Sequence, residues 1–349
     1  MNIHEKYIKR CIDLAKNGLG NTYPNPMVGS VIVVDDVIVG EGWHRKAGEA
    51  HAEVLAIHSV KDQSQLKNAT IYVSLEPCSH YGKTPPCANL IVEKGIKKVV
   101  IGAIDSNSEV SGKGVAHLER NDCEVIVGVL EEECIELNKR FFTFHTKKRP
   151  FIILKWAETT DGFIDKLRGK NDENSPNWIS NKFSQQVVHK MRAEEAAILV
   201  GTTTALNDNP NLTIRNWSGN NPIRIVIDKV LKIPGDYNLF NGVSKTIVLN
   251  KELQENDIER NILFEKVDFN KSLPNQLCEV LYAHEIQSVI IEGGSQTLQS
   301  FINNNLWDEA VVFVGETLFK EGVKAPTLKK VPEEIQKIST DTLKIYKNT

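Results

Sequence analysis

Three side chains restrict this chain more than any others: His51, Cys78 and Cys87. A histidine and two cysteines are soft-to-borderline ligands of the kind that hold zinc. Three protein ligands leave a fourth tetrahedral position open, which suits a catalytic ion better than a structural one. Glu53 stands two residues past His51, close enough to reach a water at that position without being a ligand itself. A structural zinc would want a fourth protein ligand. His58 and His80 are on offer, but neither explains Glu53. Any fold for this chain must therefore bring residues 51–53 against two later segments, one ending in Pro77-Cys78 and one starting at Cys87.

The pattern along the first half supplies such a fold. Residues 4–18 have a helical period, with Tyr7, Ile8, Cys11, Ile12, Leu14 and Ala15 on one face and Gly18 and Gly20 to end it. In Pro24-Asn25-Pro26 the prolines fix the backbone. Asn25 is then either a plain turn residue or, beside a metal, a grip on a substrate amide edge. Val28–Val34 and Val37–Gly40 read as a hairpin turning at Asp35-Asp36. His44 has two readings, a substrate contact or a surface imidazole. His51 starts a helical run whose buried side is expected to be Val54, Leu55 and Ile57. The strand Ala69–Leu75 delivers Glu76-Pro77-Cys78, and the loop Ser79–Pro86 leads to Cys87 on a helix ending near Gly95. Strands at Lys97–Ala103 and Cys123–Val129 and a charged helix from Glu131 follow. Strands alternating with helices imply an α/β sandwich with much of its sheet parallel.

A chain of 349 residues is long for one core and suits two domains. The boundary is expected in Asn138–Pro150, read as a linker, with domains at 1–146 and 147–349. The net charge of −3 gives no basic field for nucleic acid. No apolar run is long enough to span a bilayer, and Met1–Lys6 has no apolar signal core, so a cytoplasmic protein is expected. Six cysteines make no disulfide scaffold, and Cys11, Cys123, Cys134 and Cys278 read as buried free thiols.

The second half also reads α/β. Strands are expected at 196–200, 223–228, 244–249, 287–291 and 308–314, and helices at 181–193, 273–284 and 296–304. Val289-Ile290-Ile291 runs into Glu292-Gly293-Gly294-Ser295 and then a helix, a geometry that aims backbone N–H groups at an anion. It is not the G-x-G-x-x-G fingerprint of a standard dinucleotide fold. Gly201–Pro210 follows another strand, and Asn211–Arg215 ends in a cation suited to phosphate.

Histidine-x-glutamate followed by proline-cysteine and a second cysteine is the layout of the zinc deaminases, although here eight residues separate the cysteines. With Asn25-Pro26-Met27-Val28-Gly29, Glu76-Pro77-Cys78-Ser79-His80 and Gly82-Lys83-Thr84-Pro85-Pro86-Cys87, it resembles the deaminase half of the bifunctional riboflavin-biosynthesis deaminase/reductases, the RibD family. Lys155-Trp156-Ala157, Asp161-Gly162, Trp178-Ile179 and Glu292-Gly293-Gly294 resemble the reductase half. The resemblance implies a cytidine-deaminase-like α/β/α sandwich followed by a dihydrofolate-reductase-like α/β domain. It also implies a zinc ion on His51, Cys78 and Cys87, with Glu53 catalytic and Asn25 on the substrate. Ala157, Trp178, Thr204, Asp208, Lys229 and the run Gly294, Ser295, Gln296, Thr297, Leu298 would hold NADPH. Ser175, Arg192, Leu212, Arg215 and Glu292 would hold a phosphoribosyl pyrimidine. Departures are Thr159-Thr160-Asp161-Gly162-Phe163 in place of Ser-Leu-Asp-Gly-Lys, and one extra residue before Trp178. The family also implies a homodimer or larger homo-oligomer.

The chemistry expected at the front site is hydrolytic. Zinc lowers the pKa of its water to about 7, and Glu53 would carry the proton from that water to the departing ammonia. At the rear site NADPH would reduce the opened ribose to ribitol, with Asp161 and Asp208 both open as proton sources. A nucleic-acid deaminase would instead want a basic face and stacking aromatics, and a non-enzymatic sensor would want four zinc ligands.

Overall fold

The computed structural model describes residues 2–79, 85–106, 111–169, 177–252 and 254–348. Of the sequence expectations, His80, Gly82-Lys83-Thr84 and Ser175 lie outside these residues. Contacts divide the chain into two units, Met1–Lys148 and Arg149–Thr349.

The first unit begins with α1 (Ile3–Ala15), held at its start by an Asn2–Glu5 capping box. The hairpin β1 (Gly29–Val34) and β2 (Val37–Trp43) turns at Asp35 and Asp36, both with positive φ. Then come α2 (Ala52–Ser59), β3 (Thr70–Leu75), α3 (Cys87–Glu93), β4 (Lys98–Ala103), α4 (Lys113–Arg120), β5 (Glu124–Val127), α5 (Glu131–Leu137) and α6 (Lys139–Lys147). Among the described residues the sheet has the order β2-β1-β3-β4-β5. Strands β3, β4 and β5 run parallel, and β1 is antiparallel to both its neighbours. One face packs α1 and α5 through Ile8, Cys11, Val31, Tyr72 and Cys134. The other packs α2, α3 and α4 through Ile57, Ile91, Leu118, Ile71 and Ile101. This is the expected three-layer α/β/α arrangement.

Two readings need correction here. The linker of 138–150 is largely helix: α6 occupies Lys139–Lys147, with Phe141 and Phe144 buried. Its basic run reads as a solvated connection, with Phe141, Phe142 and Phe144 expected to pack it against one domain. That packing is observed, Phe142 lying on the core of the first unit, but on an amphipathic helix and not a linker. The buried side of α2 is also different. Ala52, Glu53, Ala56 and Ile57 face inward, and Val54 and Leu55 are only half-buried. The cause is close approach to β2. A Cβ on Gly42 would come within 2.5 Å of the Ala56 nitrogen and 2.6 Å of the Ala52 carbonyl oxygen. Only small residues fit between helix and strand, so the alanines turn inward and Glu53 turns with them.

The second unit contains β6 (Phe151–Thr159), β7 (Phe163–Asp165), α7 (Lys182–Glu194), β8 (Ala197–Gly201), α8 (Thr202–Asp208), β9 (Ile223–Ile227), β10 (Thr246–Asn250) and β11 (Ile262–Lys266). It continues with α9 (Leu273–Ala283), β12 (Ser288–Ile291), α10 (Ser295–Asn303), β13 (Glu309–Gly315), β14 (Val323–Lys324), β15 (Glu334–Ile338) and β16 (Asp341–Lys347). Among the described residues the large sheet runs β11-β10-β9-β8-β12-β6-β13-β16-β15, and β7 pairs with β14 separately. The strands from β11 to β13 are parallel, and the last two are antiparallel. Leu277, Leu281, Leu298 and Phe301 of α9 and α10 cover one face. Val188 of α7 and Ala205 of α8 lie against the other. The chain leaves β6, skips a place to β8, and later returns to fill the gap with β12. Open α/β sheets bind ligands at such a reversal, beyond the carboxyl ends of the strands.

Candidate active sites

The front site assembles at the carboxyl end of β3 and the starts of α2 and α3. His51 is the N-cap of α2, with extended backbone. Cys87 is the first residue of α3. Cys78 lies between them on the segment that leaves β3. His51 Nδ1 is 3.6 Å from Cys78 Sγ and 3.4 Å from Cys87 Sγ. One ligand atom from each of the three residues falls within a 4.8 Å set, the size of a tetrahedral cation site. Among the described residues no other acidic, His or Cys group forms such a cluster. The thiols show what a cation would replace. The hydrogen bond between the two thiols holds Cys78 well below an ordinary thiol and pushes Cys87 well above one. A divalent cation would favour both sulfurs as thiolates. The Cys87 backbone N–H also donates to Cys78 Sγ at 3.3 Å.

Glu53 is 3% exposed on the first turn of α2. Burial, with the negative charge of Cys78 second, pushes its carboxyl up to about 7. Asn25 and His44 complete the wall. His44 Nδ1 lies 3.2 Å from the Ala50 carbonyl oxygen, so that nitrogen carries the proton. Its Nε2 then accepts from Asn25 Nδ2 at 3.0 Å, which fixes the amide's direction. The rings of His44 and His51 meet edge to face at 5.3 Å. His44 is 2% exposed, so the surface reading of this imidazole is overturned. Asn25 sits beside the ligand histidine through His44.

Sequence reasoning missed the residue that anchors the cysteine segment. Glu76 is 4% exposed, and its carboxylate accepts from four backbone N–H groups: Asp105 at 3.3 Å, Gly112 at 3.0 Å, Gly114 at 2.8 Å and Val115 at 3.2 Å. Gly114 is required there, since a Cβ would collide with the Pro77 carbonyl oxygen. Replacing Glu76 by Leu leaves four donors without an acceptor, at roughly 1–3 kcal/mol for each one that stays dry. The expected result is a drop of several degrees in melting temperature and weaker zinc retention during dialysis against a chelator.

The rear site lies at the ends of β8, β12 and β6. Glu292 follows β12 directly, and its backbone N–H donates to Leu199 at 2.9 Å. Arg192 of α7 grips it with two bonds, Nε to Oε1 at 3.3 Å and Nη2 to Oε2 at 2.7 Å. Lys155 Nζ stands 3.9 Å from Oε1. Burial alone would raise the Glu292 carboxyl, but the Arg192 and Lys155 charges outweigh it and bring it to about 2. Burial lowers Lys155. His189, which no sequence pattern marked, is buried beside this group and held down to about 4 by burial and by Arg192 and Arg215. Its Nδ1 therefore accepts from the Arg215 N–H, at 3.3 Å.

The remaining expected residues fall in three places. Leu212 is buried with a positive φ, and Arg215 just beyond it is exposed. Ala157 lies near the end of β6, in register with Phe313. Thr204 on α8 faces the Gly294 turn, where a Cβ would lie 3.4 Å from its Oγ1. Thr297 lies across both turns, because a Cβ on Gly201 would be 2.9 Å from its Oγ1 and one on Gly293 2.8 Å from its Cβ. No side chain caps α10 at Gly294, so the N–H groups of Ser295, Gln296 and Thr297 face outward from its first turn ahead of buried Leu298. That cradle of close backbone and uncapped N–H groups fits the pyrophosphate of a dinucleotide. Trp178 is 60% exposed. Asp208 is engaged by Arg168, with Nη2 to Oδ1 at 2.8 Å. Lys229 lies past the end of β9, with Nζ 5.5 Å above the Phe269 ring.

Comparison with known proteins identifies the family. Residues 1–103 match the family described as cytidine and deoxycytidylate deaminase zinc-binding region, and residues 150–342 match the RibD C-terminal domain. The riboflavin biosynthesis protein RibD of Aquifex aeolicus (strain VF5) is 42% identical over 92% of this chain and 89% of its own length. The chain belongs to the RibD family. RibD of Acinetobacter baumannii superposes with a TM-score of 0.88 at 31% identity, covering 98% of each chain. A Thermotoga maritima protein superposes with a TM-score of 0.87 at 38% identity, covering 99% of this chain and 98% of that one. It is described as a diaminohydroxyphosphoribosylaminopyrimidine deaminase/5-amino-6-(5-phosphoribosylamino)uracil reductase. As a RibD protein, this chain is a bifunctional enzyme of riboflavin biosynthesis, a zinc-dependent deaminase joined to a reductase that uses NADPH. Among the described residues, no helix is long and apolar enough to cross a membrane.

Proposed function

We propose that the first unit hydrolyses the exocyclic amine at C2 of 2,5-diamino-6-ribosylamino-4(3H)-pyrimidinone 5′-phosphate, and that the second reduces the ribosyl group of the product to ribitol. The observation that carries the first step is a buried carboxylate, Glu53, beside a set that among the described residues has three ligands, His51, Cys78 and Cys87. Zinc on His51, Cys78 and Cys87 supplies Lewis acidity and brings the pKa of a water to about 7 when bound. Glu53 would act as the proton carrier, taking the two protons of the attacking water in turn and delivering one to the ring nitrogen and one to the departing amine. Asn25, oriented by His44, holds the amide edge of the pyrimidine.

In the second unit NADPH supplies the hydride. Thr204, Ala157, Trp178, Asp208 and the residues from Gly294 to Leu298 would hold NADPH, the uncapped turn at Gly294 being suited to phosphate. Lys229 lies off this cradle and contributes a charge at its edge. Arg215 is the exposed cation for the 5′-phosphate, with Leu212 fixing the turn that presents it. The fork of Arg192 is already committed to Glu292, so Arg192 chiefly orders Glu292 toward the substrate. Ser175 is assigned to the substrate by resemblance alone. The chain works in the cytoplasm as a homodimer or larger homo-oligomer.

Incubating the zinc-loaded protein with the diaminopyrimidine phosphate tests this reading. Ammonia should appear without NADPH, and NADPH should be consumed only after ammonia is released. NADPH oxidation that runs ahead of ammonia, or zinc-loaded protein that releases none, would reject the order or the first activity.

A further inference from the structure

We infer that Arg168 is a positioning residue of the reductase site, joining two parts of the NADPH-binding surface. This rests on the reading above that Asp208 and Trp178 border the cofactor. Arg168 follows β7, and its guanidinium is largely buried, with 14% of the side chain exposed. It binds in two directions at once. Nε donates to Asp165 Oδ2 at 3.1 Å and Nη2 reaches Asp165 Oδ1 at 3.4 Å. Toward α8, Nη2 donates to Asp208 Oδ1 at 2.8 Å and Nη1 to the Asn207 carbonyl oxygen at 2.9 Å. Asp165 Oδ1 also accepts from Asn177 Nδ2 at 2.6 Å, and Asn177 is the residue before Trp178.

A continuous line of hydrogen bonds therefore runs from Asp208, through Arg168 and Asp165, to the neighbour of Trp178. The two ends, Asn177 and Asp208, lie 31 residues apart in sequence and share no element of secondary structure. Electrostatics explains why the link must be an arginine. Asp165 and Asp208 are two carboxylates bound to one guanidinium, and without it they would repel each other. Burial raises the Asp208 carboxyl, with the Arg168 charge opposing. A planar fork with five donors can serve two carboxylates and a carbonyl together, and an ammonium group cannot reproduce that geometry. Trp178 is exposed, and the Asn177–Asp165–Arg168 bonds tie the residue before it to α8.

The test is Arg168→Ala in the full chain, with Arg168→Lys beside it. NADPH binding is measured without pyrimidine substrate, by quenching of tryptophan fluorescence. Loss of charge-assisted hydrogen bonds of this kind should weaken NADPH by roughly tenfold. The KM for NADPH should rise with it, while kcat changes less. Ammonia release without NADPH should stay at the wild-type rate, which shows that the first unit is intact, and an unchanged melting temperature shows that the second has folded. Lys should recover part of the affinity. NADH serves as a control. If NADPH weakens and NADH does not, Arg168 touches the 2′-phosphate directly and the positioning role is overturned. If Arg168→Ala binds NADPH normally while Thr204→Ala or Trp178→Ala does not, the inference fails and the cofactor assignment stands. If none of the three alters NADPH binding, the cofactor assignment itself fails, and the inference with it.

Discussion

Glu53→Gln should stop ammonia release, lowering its rate by roughly 100- to 10,000-fold, the range general acid–base catalysis contributes. Zinc content and NADPH-dependent reduction of the deaminated substrate should both stay at wild-type levels. Glutamine keeps the shape and one acceptor of the side chain but cannot take up and release a proton at neutral pH. The site makes that loss decisive. Glu53 is buried on the first turn of α2, and its immediate neighbours are the ligand residues Cys78, Cys87 and His51. None of these can act as a substitute proton carrier while it holds an ion. The check is an ammonia assay on protein whose zinc has been counted by elemental analysis. A variant that retains its zinc and still deaminates at the wild-type rate would remove Glu53 from the reaction.

The front site was legible in the sequence because its chemistry is concentrated in rare residue types at short spacings. His51, Glu53, Cys78 and Cys87 sit at element ends, and the structure brings the three ligands together as expected. Most strands were legible for a similar reason: runs such as Ile198-Leu199-Val200 and Val289-Ile290-Ile291 are rich in β-branched residues and buried. What escaped was whatever depends on partners distant in sequence. Glu76 stood inside a recognised motif, but nothing in the sequence shows that its carboxylate collects N–H groups from residues 105–115. The inward face of α2 depends on Gly42 in another element. Helix α6 was hidden by its charges. The hairpin of β15 and β16 was missed as well: β15 is an exposed edge strand whose side chains, such as Glu334 and Lys337, follow no inward-outward alternation. Arg168 and His189 matter because of where Asp208 and Arg215 lie, and pairings across 40 and 26 residues leave no trace in local pattern.

Arg192→Met is expected to destabilise the second unit by about 3–5 kcal/mol, since removing one partner of a buried pair leaves the other charge uncompensated. For a unit of this size that is a fall of roughly 10 °C in its melting temperature. The dependence on pH identifies the cause. Glu292 ionises near 2 in the folded chain, against an ordinary value of 4.5. A group whose folded value is depressed contributes its full stability above its unfolded value and loses it as pH falls toward the folded one. From about 4.5 to about 2, that contribution is on the order of 3 kcal/mol. Wild type and variant should therefore differ most above pH 5, and their melting curves should converge as pH drops toward 2. Lys155 keeps part of the pairing at 3.9 Å, so some depression of Glu292 survives in the variant. Reduction should suffer separately, because Glu292 loses the fork that orients it, and the KM for the phosphoribosyl substrate should rise by at least about tenfold. A destabilisation that does not change with pH would mean that Arg192 matters for its packing and not for the charge on Glu292. Unchanged KM in a folded variant would separate Glu292 from the substrate.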